Sequence, residues 1–261
     1  MKPVIVPVDF SETSLNAARF AAQMFSGHDD VCIILYSMFE DEKEADTTSN
    51  YLESLKKELE LKGNNTIDCV QEFGRDFIDN LSRLAQQKTA HLIVMGITGR
   101  STFAQVFIGS NTLKMVDKNI CPVMIIPPEA SFREIKNVAF TSDFQAVEET
   151  TPVLFIKSIL NLFNPSLHII NVDSSHYVSL TDEFREAREK MFTMFEEFKP
   201  EFYFIGMNDI HEAINQFVYD KNIDLIVTVP RYHTFLNTIF KGTHTKKLVY
   251  HSSVPILAAH E

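Results

Sequence analysis

Three of the eight glycines in this chain, Gly96, Gly99 and Gly109, fall close together, and Ser110 follows the last of them. They stand in MGITGRSTFAQVFIGSNT, Met95 to Thr112, with the spacing G-x2-G-x9-G-S. The chemistry this spacing suits is the holding of an anion, above all a phosphate. Gly96 would let a ligand lie against backbone where a Cβ would intrude, and Gly99 permits a left-handed turn that costs most residues ~1–2 kcal/mol. Gly109-Ser110 begins a helix, whose free N–H groups and positive dipole end favour negative charge. Ser110 can cap that helix or donate to a phosphate, and Arg100, Ser101 and Thr102 offer further donors. The same residues also read as a glycine-terminated strand, a surface loop and a serine-capped helix, and spacing leaves both readings open. Two better-known phosphate motifs do not fit. A Walker A loop needs a lysine after its last glycine, and GxGxxG should follow the first strand of its unit, whereas this loop follows the fourth.

Around that loop the apolar pattern alternates between short runs and helical periods. Val4–Val8 reads as a buried strand that leads to Asp9. A helix capped by Ser11 follows, then strands at VCIILYSM and TIDCVQEF. Between those strands lies a charged helix, NYLESLKKELELKG, stopped by Gly63. DFIDNLSRLAQQ is the third helix, HLIVMG the fourth strand, Ser110–Lys118 a last short helix and CPVMIIP the fifth strand. Near-continuous apolar strands alternating with helices imply a parallel sheet covered on both faces. Doubly wound sheets of this kind take ligands outside the carboxyl ends of the strands, where the strand order reverses.

The chain is written twice. VIVPVDFSET is echoed by VAFTSDFQAV, which brings Asp9-Phe10 level with Asp143-Phe144. Ala90–Pro127 aligns without a gap to Ile223–His260 with nine identities, among them Gly109 with Gly242 and Pro122 with Pro255. Pro127–Ile135 interrupts the pattern and reads as a linker. In the second copy Val229 and Tyr232 replace Gly96 and Gly99, and Gly242-Thr243 keeps only the start of the helix. A loop that suits a phosphate is therefore expected in the first copy and not in the second. Arg231, His233, Lys241, His244, Lys246 and Lys247 could form a residual anion site or a solvated face. In DEFREAREKMFTMFEEF, Phe184, Met191, Phe195 and Phe198 make a stripe expected to face the core.

The sequence resembles the universal stress protein family, as a tandem two-domain member. VIVPVDFSETSLNAARFA at the start carries the likeness, together with LIVMGITGRSTFAQVFIGSNTLKMV and CPVMIIP, and Gly96, Gly99, Gly109 and Ser110 meet the family's G-x2-G-x9-G-[ST] signature. The resemblance implies two doubly wound α/β domains of the adenine nucleotide alpha hydrolase-like kind. Each would be a five-stranded parallel sheet in the order 3-2-1-4-5 with helices on both faces. It divides the chain into residues 1–131, with the complete nucleotide motif, and 132–261, a degenerate copy. The implied ligand is ATP, ADP or AMP, with or without Mg. Asp9 would meet the ribose or adenine side, and Ser37 or Met38 would flank the base. Gly96 and Gly99 would let the chain wrap ribose and phosphates, with Arg100 as a further donor, and Gly109, Ser110 and Asn111 would hold the phosphates. Family members dimerise through their last strands, so the tandem chain resembles a dimer made covalent, and a further homodimer stays open.

Composition narrows the field of functions. A net charge of −11 argues against broad nucleic-acid binding, and no apolar run nears the ~20 residues that span a bilayer. The N-terminus carries no signal-peptide core. Cys32, Cys69 and Cys121 lack CxxC spacing, and the histidines lack HxxxH or HExxH, so neither a disulfide framework nor a metal site is expected. Reduced thiols point to a cytoplasmic protein. Three functions remain at this level. The first is a nucleotide-binding stress-response regulator that acts through protein partners. The second is a slow ATP hydrolase, which finds no Walker lysine, no paired metal carboxylates and no general base beside Ser110. The third is an interaction module that binds no nucleotide.

Overall fold

Val4, Ile5 and Val6 have no exposure at all, and neither do Leu92, Ile93 and Val94. Consecutive buried residues mean that both faces of a strand are covered, as in a parallel sheet with helices on either side. The computed structural model describes residues 1–97, 110–172, 181–206, 210–229 and 254–259. It divides into two units, Met1–Phe132 and Arg133–Glu261.

The first unit runs β1 (Lys2–Pro7), α1 (Glu12–Met24), β2 (Val31–Phe39), α2 (Ala45–Lys62), β3 (Thr66–Phe73), α3 (Phe77–Gln87), β4 (Leu92–Gly96), α4 (Ser110–Asp117) and β5 (Val123–Ile126). Its strands lie in the order β3-β2-β1-β4-β5, every pair parallel. Right-handed crossovers put α1 and α2 on one face and α3 and α4 on the other, and each helix touches its companion. The edge strand β3 alternates exposed and covered residues where β1 does not. Ser11 caps α1, its hydroxyl accepting from the Ser14 N–H. The second helix begins at Ala45, five residues before the apolar pattern suggests. A 3-10 turn over Glu42–Glu44, capped by Asp41, leads into it.

The second unit runs β6 (Asn137–Thr141), α5 (Val147–Thr150), α6 (Val153–Phe163), β7 (Ser166–Val172), α7 (Asp182–Met194), β8 (Glu201–Ile205), α8 (Ile210–Lys221), β9 (Leu225–Thr228) and β10 (Ile256–Ala258). The order β8-β7-β6-β9-β10, again parallel throughout, is the same 3-2-1-4-5 winding. The two units are thus tandem doubly wound α/β folds, as the resemblance implies. They differ in their first helix, which is one rod in the first unit and two pieces, α5 and α6, in the second. Pro152 lies at the break, where it has no N–H to give and forces Thr151 into an extended conformation. The aromatic stripe of α7 faces the core, with Met191 and Phe195 at 0% exposure. The helix itself stops at Met194, and a 3-10 turn carries Phe198 inward before Lys199 turns left-handed ahead of Pro200.

Candidate functional site

In the first unit the strand order reverses between β1 and β4, so a crevice opens at their carboxyl ends. Asp9 follows β1, Ser37 and Met38 lie in the last three residues of β2, and Gly96 ends β4. Pairing sets their level. Pro7 is opposite Tyr36, the Val8 N–H donates to the Tyr36 carbonyl at 2.7 Å, and Ile5 is opposite Ile93. Four of the residues singled out by sequence therefore share one edge of the sheet. Ser110 is the first residue of α4 and Asn111 is exposed in its first turn. Gly99, Arg100 and Gly109 lie outside the described residues, as do Ser101 and Thr102.

Asp9 is engaged by the start of α1. Its Oδ1 accepts from the Ser11 N–H at 3.0 Å and from the Ser11 hydroxyl at 2.5 Å. The Asp9 N–H donates to Ser14 Oγ at 3.3 Å, and Ser14 Oγ donates to the Ser11 carbonyl at 3.0 Å. This is an Asx-turn feeding a helix cap, which satisfies donors that the helix leaves open. Between Asp9 and Ser11, Phe10 takes a left-handed φ of 61°. That conformation costs a residue with a Cβ roughly 1–2 kcal/mol. The Phe10 ring is held at 5.3 Å from that of Tyr51 on α2, a contact that offsets part of the cost.

Ser37 is 3% exposed, and Met38 is half-buried with its Sδ accepting from Asn80 Nδ2 of α3 at 3.4 Å. Beneath them the Tyr36 hydroxyl donates to Glu72 of β3 at 3.1 Å. Burial, and after it the Glu72 carboxylate, holds this phenol well above the usual tyrosine range. A neutral tyrosine and the Arg83–Glu72 ion pair thereby fix the ends of β2 and β3.

Gly96 has a local reason to be glycine. A Cβ built there would lie 2.7 Å from the Thr13 carbonyl oxygen and 2.9 Å from its carbon. The end of β4 therefore presses against the first turn of α1, and this contact alone excludes a side chain. The sequence reading assigns the small residue to the approach of a ligand; helix–strand packing asks for it first. On its other side the Gly96 carbonyl accepts from Thr112 Oγ1 at 3.0 Å, and Thr112 is 2% exposed. That bond ties the first turn of α4 to the end of β4.

Phe10 and Thr112 are the residues that sequence reasoning passes over. Each left a signal, since Asp-Phe recurs at Asp143-Phe144 and Thr112 is identical to Thr245 in the repeat. Asn16 is a third: its amide donates to the carbonyls of Pro127, Pro128 and Ala130, at 2.9 to 3.2 Å, and anchors the chain after β5.

The corresponding edge of the second unit repeats the turn and changes its surroundings. Asp143 Oδ1 accepts from the Gln145 N–H at 2.9 Å, and Phe144 has a φ of 57°. Val229 stands half-buried where Gly96 stands in the first unit. A groove of about 360 Å³ runs over Phe144–Glu149 and α7, with Glu148, Glu149, Glu183 and Glu186 on its walls and Lys190 between two of them. Tyr232, Gly242, Thr243 and the basic residues from Arg231 to Lys247 lie outside the described residues.

Fold and site together define an open, doubly wound α/β protein whose strand order reverses between β1 and β4. The sequence profile of the universal stress protein family matches residues 1–127. That match takes in nearly all of the first unit and just under half of the chain. It is 22% identical over 138 residues to universal stress protein MJ0531 of Methanocaldococcus jannaschii, spanning 48% of this chain and 81% of that protein. A solved universal stress protein from Archaeoglobus fulgidus DSM 4304 covers 99% of this chain and 98% of its own, with a TM-score of 0.73 at 16% identity. A functionally unknown protein from Pseudomonas aeruginosa PAO1 covers 99% and 92%, with a TM-score of 0.66 at 14% identity. At these identities the likeness to solved structures speaks for the fold. Among the described residues, no helix is long and apolar enough to cross a membrane, and no group of three His, Cys, Asp or Glu could hold a metal ion.

Proposed function

We propose that the first unit binds ATP or a related adenine nucleotide, ADP or AMP, alone or as its Mg complex. In this reading the bound state regulates a stress response through protein partners, and residues 132–261 serve as a pseudo-symmetric companion that takes no nucleotide. The observation that carries the reading is the convergence at one crevice of Asp9, Ser37, Met38, Gly96 and the start of α4, which the Thr112–Gly96 bond draws to the end of β4. Helix N-termini at a switch point favour phosphate, since their N–H groups point outward and the dipole end is positive. Asp9, Ser37 and Met38 would flank ribose and base; Gly96, Gly99, Arg100, Gly109, Ser110 and Asn111 would wrap the phosphates.

The second unit supports the contrast. Four glutamates and one lysine line the groove beside its Asx-turn, and carboxylates there repel a polyphosphate. Thermal unfolding of the full chain with ATP, with AMP and without ligand tests the proposal. Saturation at 100 times the dissociation constant should add about 2.7 kcal/mol of stability. An unchanged midpoint at millimolar ATP with magnesium would leave an interaction module in its place.

A further inference from the structure

Among the described residues, His168 of the second unit is a buried polar ring without a hydrogen bond. His168, on β7, is 6% exposed, and neither of its ring nitrogens has a hydrogen-bond partner among the described residues. Its ring sits 5.7 Å from that of Tyr203 on β8 and 6.1 Å from that of Phe217 on α8, and those two rings meet at 4.9 Å. The titratable and charged groups that face it are Glu201 and Tyr203 from β8 and Lys221 from α8; β6 places Ala139 opposite it in register. Glu201 Oε2 is 3.6 Å from Nδ1, too far for a hydrogen bond. The same oxygen already accepts the Tyr203 hydroxyl, and Lys221 Nζ lies 4.7 Å from the centre of the Tyr203 ring.

We propose that His168 makes the β7–β8–α8 edge of the second unit acid-sensitive, so that a proton taken up there loosens this edge. The aromatic cage that excludes water from the ring also denies a cation its hydration, and one exposed carboxylate at 3.6 Å does not replace it. Burial outweighs the Glu201 charge and holds the imidazole below its ordinary value near 6.5, with Lys221 pushing the same way. The sign follows from linkage. The opened edge takes a proton near pH 6.5 and the closed edge only at lower pH, so stability is complete above 6.5 and is lost as pH falls toward the folded value. β8 is the strand to open first, since it lies at the end of its sheet and every one of its residues is exposed or half-covered.

Hydrogen exchange on the full chain, corrected for intrinsic rates and compared between about pH 7.5 and about pH 5, tests this. Opening of segments 166–172, 201–205 and 212–221 should stay level down to about pH 6.5 and then rise by up to about tenfold per pH unit. His168→Phe, which keeps an aromatic ring beside Tyr203 and Phe217, should flatten the rise; His168→Leu serves if the first variant does not fold. The six other histidines of this half remain in every protein, so only the difference between proteins counts. An equal rise in the variants would overturn the proposal. NMR titration of the wild-type ring gives an independent reading: a midpoint below 6.5 is expected, and one at or above 6.5 would contradict it.

Discussion

At the ends of β1 and β6 the same three-residue device appears with different neighbours. Asp9-Phe10-Ser11 and Asp143-Phe144-Gln145 each close an Asx-turn around a left-handed phenylalanine. Past the turn, the first unit places Ser11, Thr13 and Ser14, hydroxyls bonded among themselves, and an unbroken helix. The second unit places Val147, Glu148 and Glu149, then a helix broken at Pro152. What both units keep belongs to the fold, and what only the first keeps is where a ligand should be sought. On that test Asp9 alone argues for nothing beyond the turn, because Asp143 does the same work. Gly96 has to be shared between two explanations, since α1 needs it with or without a ligand.

The contrast can be broken or sharpened by substitution, starting with the largest effect. Gly96→Ala should destabilise the protein without nucleotide by about 1–3 kcal/mol, the usual cost of forcing a side chain into a filled space. Urea unfolding in the absence of ligand would measure it, and no loss would return Gly96 wholly to the ligand. Thr112→Val removes the hydroxyl that donates to the Gly96 carbonyl, and about 1 kcal/mol should go with it. Asp9→Asn and Asp143→Asn each keep an acceptor for the turn, so each should cost under about 0.5 kcal/mol. Calorimetric titration then separates them, with ATP affinity falling in Asp9→Asn only.

The smallest effect tests the scaffold. Glu58 accepts from Arg19 at 2.8 and 3.1 Å and from Lys62 at 2.7 Å. Those bonds lower its pKa to about 2. Its stabilisation is complete above the ordinary value near 4.5 and fades as pH falls toward 2. The pair is partly exposed, so the effect is modest. Thermal unfolding between pH 5 and pH 2.5 should show a shallower acid loss in Glu58→Gln than in wild type.

Much of this arrangement is legible in the sequence. Buried strands announce themselves as apolar runs, and Ser11 marks the start of α1 by its hydroxyl. The repeat with the family likeness fixes the winding of both sheets. The parts that escape are those set by contacts between distant segments. Nothing near Gly96 in sequence reveals that Thr13 lies against it, so a local reading credits the glycine to a ligand. Phe10 and Phe144 look like core residues, yet their backbones are strained and their rings hold the turns in place. The early start of α2 is hidden because its first turns are polar, and the break at Thr151-Pro152 interrupts a helix that matches the first unit by position alone. Thr112 could have been found, since an identity kept between two diverged copies at a helix start invites a structural reason.

The central claim is that the two units differ in nucleotide binding because the loop after β4 does. Isothermal titration of ATP into full-length Gly99→Asp and full-length Tyr232→Asp, beside wild type, tests it most directly, since both place a new carboxylate at equivalent positions. The account predicts one site in wild type, an affinity at least about tenfold weaker in Gly99→Asp, a loss of ~1.4 kcal/mol or more, and an unchanged affinity in Tyr232→Asp. Equal loss in both variants, or loss in Tyr232→Asp alone, would contradict it.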